Sequence, residues 1–204
     1  MAIFWTGRSK FRLAVAGILF VWGAVEMVLQ VVLLLGFQIL AGFVYRQLAL
    51  IIAFFMTGLA VGAGWTARCH RSLPGTAEGR RRFICVQALV CMLPVGLMLF
   101  LQLMQGELQN GLSPVAIGWL FSGISFITGT LGGVHFALAV MVMAAAGTAV
   151  EKIGGGFYAL DLAGAAAGAL LAALFVLPIF GIIHTLGLLS ILSIISLLTL
   201  LRRP

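Results

Sequence analysis

An acid that could carry chemistry, Glu26, lies inside a long apolar run. A carboxylate in the hydrocarbon core of a membrane costs about 3 kcal/mol on insertion scales, so such acids usually face a bundle interior and have a partner or a task. Trp22 and Gln30 lie one helical turn to either side of Glu26, on the same helix face. Glu26 can be protonated and donate a hydrogen bond, or ionised and neutralised by a cation or basic group. The sequence leaves open a structural hydrogen bond, a substrate or proton site, and a partner contact.

A second acid, Asp161, stands near the start of another apolar run, one turn after Tyr158. An acid in the first turn of a helix is favoured by the helix dipole and can cap free backbone N–H groups. Gly164 and Gly168 share its face and bring a second backbone close to the carboxylate, so a capping role and a site role are both open for Asp161. The candidate substrate or proton site therefore consists of Glu26, Gln30, Tyr158 and Asp161.

Two histidines, His135 and His184, lie near the starts of predicted spans. If both occupy the cytoplasmic leaflet at similar depth, they are weak candidates for two axial ligands of a haem b, with quinone binding as a related alternative. Neither is part of a diagnostic motif, so the prediction for metals and cofactors is none. Nucleophile motifs and phosphate-binding loops are also absent from the sequence, which leaves enzymatic activity open but unexpected.

The composition of the chain indicates the kind of structure that holds these residues in place. Hydrophobic residues make up 63% of the 204 residues and charged residues 8%, and the mean hydropathy is +1.22. Such values are typical of a multispanning membrane protein. A helix crosses the bilayer with about 20 apolar residues, so we predict an all-α transmembrane bundle, one domain over residues 1–204, with about seven spans. The windows are 13–36, 47–66, 83–104, 114–132, 134–150, 158–179 and 182–201.

The distribution of basic residues predicts the orientation. The net charge of +7 is concentrated at the N-terminus and in the loop after the second window, a pattern typical of cytoplasmic segments and not of nucleic-acid binding. We therefore expect a cytoplasmic N-terminus, an uncleaved first span and a multi-pass protein of the cell (inner) membrane. Seven spans leave two C-terminal arginines on the outside, against the same rule. The residues concerned are Arg8, Lys10, Arg12, Arg68, Arg71, Arg80, Arg81, Arg82, Arg202 and Arg203.

Small residues predict where the helices touch. Membrane helices associate through close packing of small residues and through buried polar groups. The pairs Gly58–Gly62 and Gly164–Gly168 have the four-residue spacing of such contacts. Three further glycines, Gly129, Gly132 and Gly133, lie where the fourth and fifth windows meet, and they indicate either close helix contact or a helix break with a tight turn.

Two segments, residues 26–62 and 132–181, resemble the membrane part of the spermidine synthase-like family, polyamine aminopropyltransferases whose cytosolic synthase domain is fused to a multispanning region. The second segment contains FYALDLAGAAAGALLAALFVLPIFG. Two positions depart from the family pattern: Ala137 replaces an expected proline, and His135 precedes it where no histidine is expected. The matching residues are Glu26, Gln38, Tyr45, Met56, Gly58, Tyr158, Asp161, Gly164, Gly168, Pro178 and Gly181.

The resemblance implies the architecture of the membrane region but not the enzymatic activity of the family. The activity belongs to a synthase domain with a glycine-rich loop and a catalytic aspartate, and none follows the last span. The resemblance thus implies a non-catalytic integral membrane subunit that anchors or serves a separately encoded partner, or that forms a homo-oligomer. The alternative is a small transporter of a cationic solute such as a polyamine, because carboxylates would neutralise a polycation in a low-dielectric path. The second alternative is an electron-transfer subunit that binds haem or quinone.

Overall fold

The computed structural model of the chain describes the backbone of residues 2–42, 45–69, 75–108, 113–145 and 150–202. Side chains are described over residues 13–42, 45–69, 77–106, 113, 115–145 and 155–202. Within these ranges every regular element is helical, in agreement with the predicted fold class. Some of the basic residues that predict the orientation lie outside the described part. They are Arg71 and Arg203, together with the side chains of Arg8, Lys10 and Arg12.

Seven α-helices make up the described part of the chain. They are α1 (Ala2–Ala41), α2 (Tyr45–Cys69), α3 (Gly75–Cys91), α4 (Leu93–Leu108), α5 (Pro114–Ala145), α6 (Val150–Leu171) and α7 (Leu177–Leu201), with a π-helical turn, Ala172–Val176, before α7. Two of the interruptions precede a proline, Pro94 after the α3–α4 break and Pro178 after the π-turn. Proline lacks an N–H group and its ring crowds the carbonyl four residues earlier, so it disturbs the preceding turn.

Five described segments are long and apolar enough to cross a membrane, which makes this a membrane protein. They are Leu13–Ala41, Tyr45–Cys69, Ala77–Gly106, Val115–Ala145 and Gly155–Leu201. The predicted number of about seven is therefore not confirmed. The first three segments correspond to predicted windows, whereas the last two each combine two windows.

The windows 114–132 and 134–150 differ from the structure because residues 114–145 form one uninterrupted helix, α5. Of the two interpretations of the glycines at 129–133, the tight turn is absent from this described segment. The glycines serve close packing instead: a β-carbon at Gly129 or Gly133 would overlap the backbone of α2 at Phe55 or Leu59. Glycine is tolerated in a helix interior where it permits such a contact.

The last apolar segment is not one straight rod. Its 47 residues would extend about 70 Å as an ideal helix, far more than a bilayer core. At Gly181 the backbone has φ 71° and ψ 178°, a conformation that is essentially restricted to glycine. The chain therefore bends sharply at Gly181.

The direction of α7 follows from its neighbours. Ile182, just after the bend, lies beside Gly36 near the end of α1. Leu200 belongs to a buried cluster with Val15, near the start of the apolar segment Leu13–Ala41, and Phe83, in the first part of the segment Ala77–Gly106. Residues 182–201 therefore run antiparallel to α1, back toward the end of the bundle where α3 begins. We call this the arginine end, because Arg80, Arg81 and Arg82 precede Phe83.

Two pairs of helices pack in parallel through their glycines. On α2, a β-carbon at Gly58 or Gly62 would overlap the α5 backbone near Phe126 or Thr130, four residues further along. The register advances in the same direction on both helices, so α2 and α5 are parallel.

The second parallel pair is α1 with α6. Gly164 lies against Phe20, and Gly168 lies against Ala24 one turn further along both helices. The helix-packing role predicted for Gly58, Gly62, Gly164 and Gly168 agrees with these contacts. The parallel contact of α1 and α6 also brings the two segments that carry Glu26 and Asp161 side by side.

Candidate functional site

Glu26 lies at the junction of α1, α5 and α6. Its side chain is only 9% exposed, and on the α5 side it fits against Gly132, where a β-carbon would overlap the carboxylate. One of its oxygens, Oε1, is buried without a hydrogen-bond partner. The predicted inward-facing stripe is buried throughout, since Trp22 is 2% and Gln30 5% exposed.

Asp161 reaches the same junction from α6. A β-carbon at Gly23 on α1 would lie 2.8 Å from Asp161 Oδ1, and this oxygen is also buried without a hydrogen-bond partner. Gly23 precedes Glu26 by three residues on α1, so Asp161 Oδ1 lies beside α1 about one helical turn before Glu26. The structure thus brings the two acids together, as neighbours between parallel helices.

No described Lys or Arg forms an ion pair with either acid. Among the described side chains, Arg82 forms an ion pair with Glu78, four residues earlier on α3. Two neighbouring carboxyl groups in a poorly solvated site cannot both be ionised without a positive charge beside them. The arrangement can therefore hold protons or a cationic group.

Gln30, the third predicted site residue, lies one helical turn after Glu26 on α1 and contacts a side chain of α5. Ser125 Oγ lies 3.0 Å from Gln30 Oε1 and 2.9 Å from the carbonyl oxygen of Ile51. A hydroxyl has one proton, so Ser125 donates to one of these acceptors at a time. This contact joins α1, α2 and α5, while Gln30 Nε2 is buried without a partner.

Tyr158 does not enter the junction. Its side chain is 58% exposed, and its ring packs edge-on against Phe136 with centroids 6.3 Å apart. Tyr158 and Phe136 thus form an aromatic pair between α6 and α5, one turn from Asp161. The one-turn spacing correctly predicts proximity along the helix but not the direction of the side chain.

The two histidines lie in different surroundings. His184 is exposed and its Nδ1 lies 3.0 Å from the carbonyl oxygen of Phe180 in its own helix, next to the bend. His135 is fully buried on α5, between Trp22 and Phe83, with ring centroids 5.3 Å and 5.0 Å away. His184 therefore lies near the end of the bundle opposite to Phe83, and the structure does not bring the two rings together as a ligand pair.

A buried polar chain that the sequence analysis did not identify begins at His135. Its Nε2 lies 2.5 Å from Gln87 Oε1, and Gln87 Nε2 donates to Ser196 Oγ at 3.3 Å and to Cys91 Sγ at 3.9 Å. Cys91 Sγ in turn lies 3.2 Å from the carbonyl oxygen of Ser193, to which it donates. The chain links α5, α3 and α7. Polar residues at helical spacing within apolar windows are the sequence signal that could have indicated it.

Neither a metal site among the described residues nor a similarity to known proteins assigns a function to this junction. Within the described residues, no three side chains of His, Cys, Asp or Glu form a group that could hold a metal ion. No protein-family model matches the chain, and neither a curated protein nor a solved structure is significantly similar to it.

Proposed function

We propose that this chain is an integral membrane protein that binds a small organic cation between Glu26 and Asp161 and transports it across the bilayer. The observation that carries the proposal is the pair of carboxyl groups at one helix junction, each with a buried oxygen that lacks a hydrogen-bond partner and neither in an ion pair with a described basic residue. A bound cation would neutralise the pair and supply its missing hydrogen bonds.

The class of cation follows from the shape of the junction and from the resemblance. The acids lie between helices that touch through glycine backbones, which favours a thin, unbranched solute over a bulky one. Resemblance to the membrane domains of spermidine synthase-like proteins adds a polyamine as the natural candidate. Glu26 also lies near the middle of the apolar segment Leu13–Ala41. A site at this depth is typical of transporters.

The proposed topology has six crossings, with the bend at Gly181 separating the last two. Residues 155–180 and 182–201 are each long enough to cross. Because α5 is a single helix and α7 returns, Arg202 lies at the same end as Arg80, Arg81 and Arg82. This satisfies the positive-inside rule with both chain ends in the cytoplasm, and we place the protein in the cell (inner) membrane.

Uptake by proteoliposomes tests the transport proposal. The purified protein is reconstituted and the uptake of a radiolabelled linear polyamine is followed, for the wild type and for Glu26→Gln and Asp161→Asn. Each substitution keeps the size of the side chain and removes its charge, so uptake is expected to fall at least about tenfold, since a charged hydrogen bond contributes roughly 1.5–3 kcal/mol. Glu78→Gln, an acid outside the junction, is the matched control and should leave uptake unchanged. Wild-type uptake no faster than in empty liposomes would refute transport.

The second candidate is a non-catalytic membrane subunit for a separately encoded partner. The observation that favours it is the large exposed apolar surface of the last segment, Gly155–Leu201. In the most apolar part of this segment, only 11% of the residues are buried. Its exposed side chains include Leu170, Leu174, Phe175, Ile179 and Phe180. Mild detergent extraction followed by affinity purification distinguishes the two candidates: a stoichiometric companion protein supports the subunit role, and a solitary chain that transports supports the carrier.

A further inference from the structure

Two side chains at the junction of α1, α5 and α6, and a third beside it where α5 packs on α1 and α3, offer a buried atom that can accept a hydrogen bond and lacks a donor. They are Glu26 through Oε1, Asp161 through Oδ1 and His135 through Nδ1. His135 follows Gly132, the residue that contacts Glu26, by three positions on α5. Its ring packs on Trp22, one turn from Glu26 on α1. The imidazole therefore lies about one helical turn from Glu26 along both helices.

The polar chain beyond His135 determines which ring nitrogen carries the proton. Cys91 donates its S–H to Ser193 and accepts from Gln87 Nε2, which orients the Gln87 amide with Oε1 toward the imidazole. A carbonyl oxygen only accepts, so His135 Nε2 must carry the hydrogen. In the neutral ring the other nitrogen, Nδ1, is then an acceptor.

Building on the proposed cation site, we propose that the junction recognises a primary ammonium group, R–NH₃⁺, and that His135 determines this specificity. A primary ammonium has three N–H donors, one each for Glu26, Asp161 and His135. A quaternary ammonium carries the same charge but has no N–H, so it would leave all three acceptors unpaired. Rejection of a ligand that leaves buried polar groups unpaired is the strongest form of binding discrimination.

The neighbouring groups are compatible with this ligand. Trp22 Nε1 is a further buried atom without a partner, and it can only donate. A carboxylate accepts several hydrogen bonds, so an ionised Glu26 can receive both the ligand and the indole N–H. Trp22 and Phe83 enclose the imidazole from two sides, which limits its rotation and keeps Nδ1 in one direction.

The test compares two ligands of equal charge. Binding of n-butylamine and of n-butyltrimethylammonium to the detergent-purified protein is measured by calorimetry at about pH 7, where both are cations. The wild type is expected to bind the primary amine at least about tenfold more tightly, as one or more charged hydrogen bonds require. In His135→Phe, which retains an aromatic ring for Trp22 and Phe83, the ratio of the two affinities is expected to fall toward one while both ligands still bind.

A second variant addresses the orienting chain without changing a group that contacts the ligand. Gln87→Met removes the acceptor that fixes the imidazole, so it should also reduce the preference for the primary amine, although Gln87 is a positioning residue. Equal wild-type affinities for the two ligands, or an unchanged preference in both variants, would overturn the role of His135 and leave the cation site standing. Binding of neither ligand to the wild type would overturn the cation site and this specificity together.

Discussion

Gly132 on α5 lies directly against the carboxylate of Glu26 on α1, so that a β-carbon there would occupy the space of the carboxylate oxygens. The neighbour that would be displaced is the end of a flexible side chain and not a backbone. A methyl group at this position would therefore change where the acid points while leaving the contact between the helices largely intact.

Gly132→Ala is accordingly expected to separate binding from stability. Glu26 must rotate away, and the affinity for a linear amine should fall about tenfold, as for loss of one charged hydrogen bond. The thermal unfolding midpoint should change by only a few degrees. Gly123→Ala on the same helix, where a β-carbon meets nothing within 4 Å, is the control. A large loss of stability with unchanged binding would contradict this account of Gly132.

The parallel contact of α2 and α5 is expected to be sensitive to any added volume. Gly62→Ala would place a methyl group into the backbone of α5 at Thr130, and overpacking of this kind costs roughly 1–3 kcal/mol. The free energy of unfolding in mixed micelles measures it. Gly64→Ala, two residues away in open space, should leave the stability unchanged. Equal effects of the two substitutions would show that α2 does not pack through Gly62.

The bend at Gly181 provides a third prediction. Its positive φ of 71° with ψ near 180° is strained for any residue with a β-carbon, by about 1–3 kcal/mol. Gly181→Ala should therefore destabilise the protein by this amount, or straighten the last segment and expose Leu186, which is buried. Thermal unfolding and limited proteolysis detect the two results. Gly187→Ala, a helical glycine with free space around it, is the comparison that should behave like wild type.

A topology with six crossings predicts from which side of the membrane a maleimide can label each cysteine. Cys69 is exposed at the end of α2, and a membrane-impermeant maleimide should label it from the same side as Arg202→Cys. Gln105→Cys, at the other end of the bundle, should be labelled from the opposite side. Oriented vesicles of both polarities, with Cys85 and Cys91 replaced by alanine, provide the measurement. Labelling of Arg202→Cys together with Gln105→Cys would indicate an odd number of crossings.

Hydropathy alone predicted the helical class and most of the apolar segments, because lipid solvation requires continuous apolar runs. It could not decide the role of Gly129, Gly132 and Gly133. Glycine both interrupts helices and permits close helix contacts, and the choice depends on whether another backbone lies opposite, which is a tertiary property. The same ambiguity holds at Gly181, where the backbone does bend.

For the candidate site, helical spacing placed Trp22, Glu26 and Gln30 in the interior, because one face of α1 must pack against the bundle. Spacing could not show that Tyr158 points outward, since α6 contacts α1 through its glycine face and leaves the tyrosine beside Phe136. The part played by His135 depends on Gln87, nearly fifty positions earlier in the chain, and no local pattern joins the two.

The parallel pairing of α1 with α6 and of α2 with α5 has a consequence for biosynthesis. The glycine faces of the first two helices enter the membrane long before α5 and α6 have been synthesised. During translation these faces, and the acid on α1, have no native neighbour. Assembly must therefore wait for the second half of the chain, and truncated chains that end before α5 are expected to associate with one another or to be degraded.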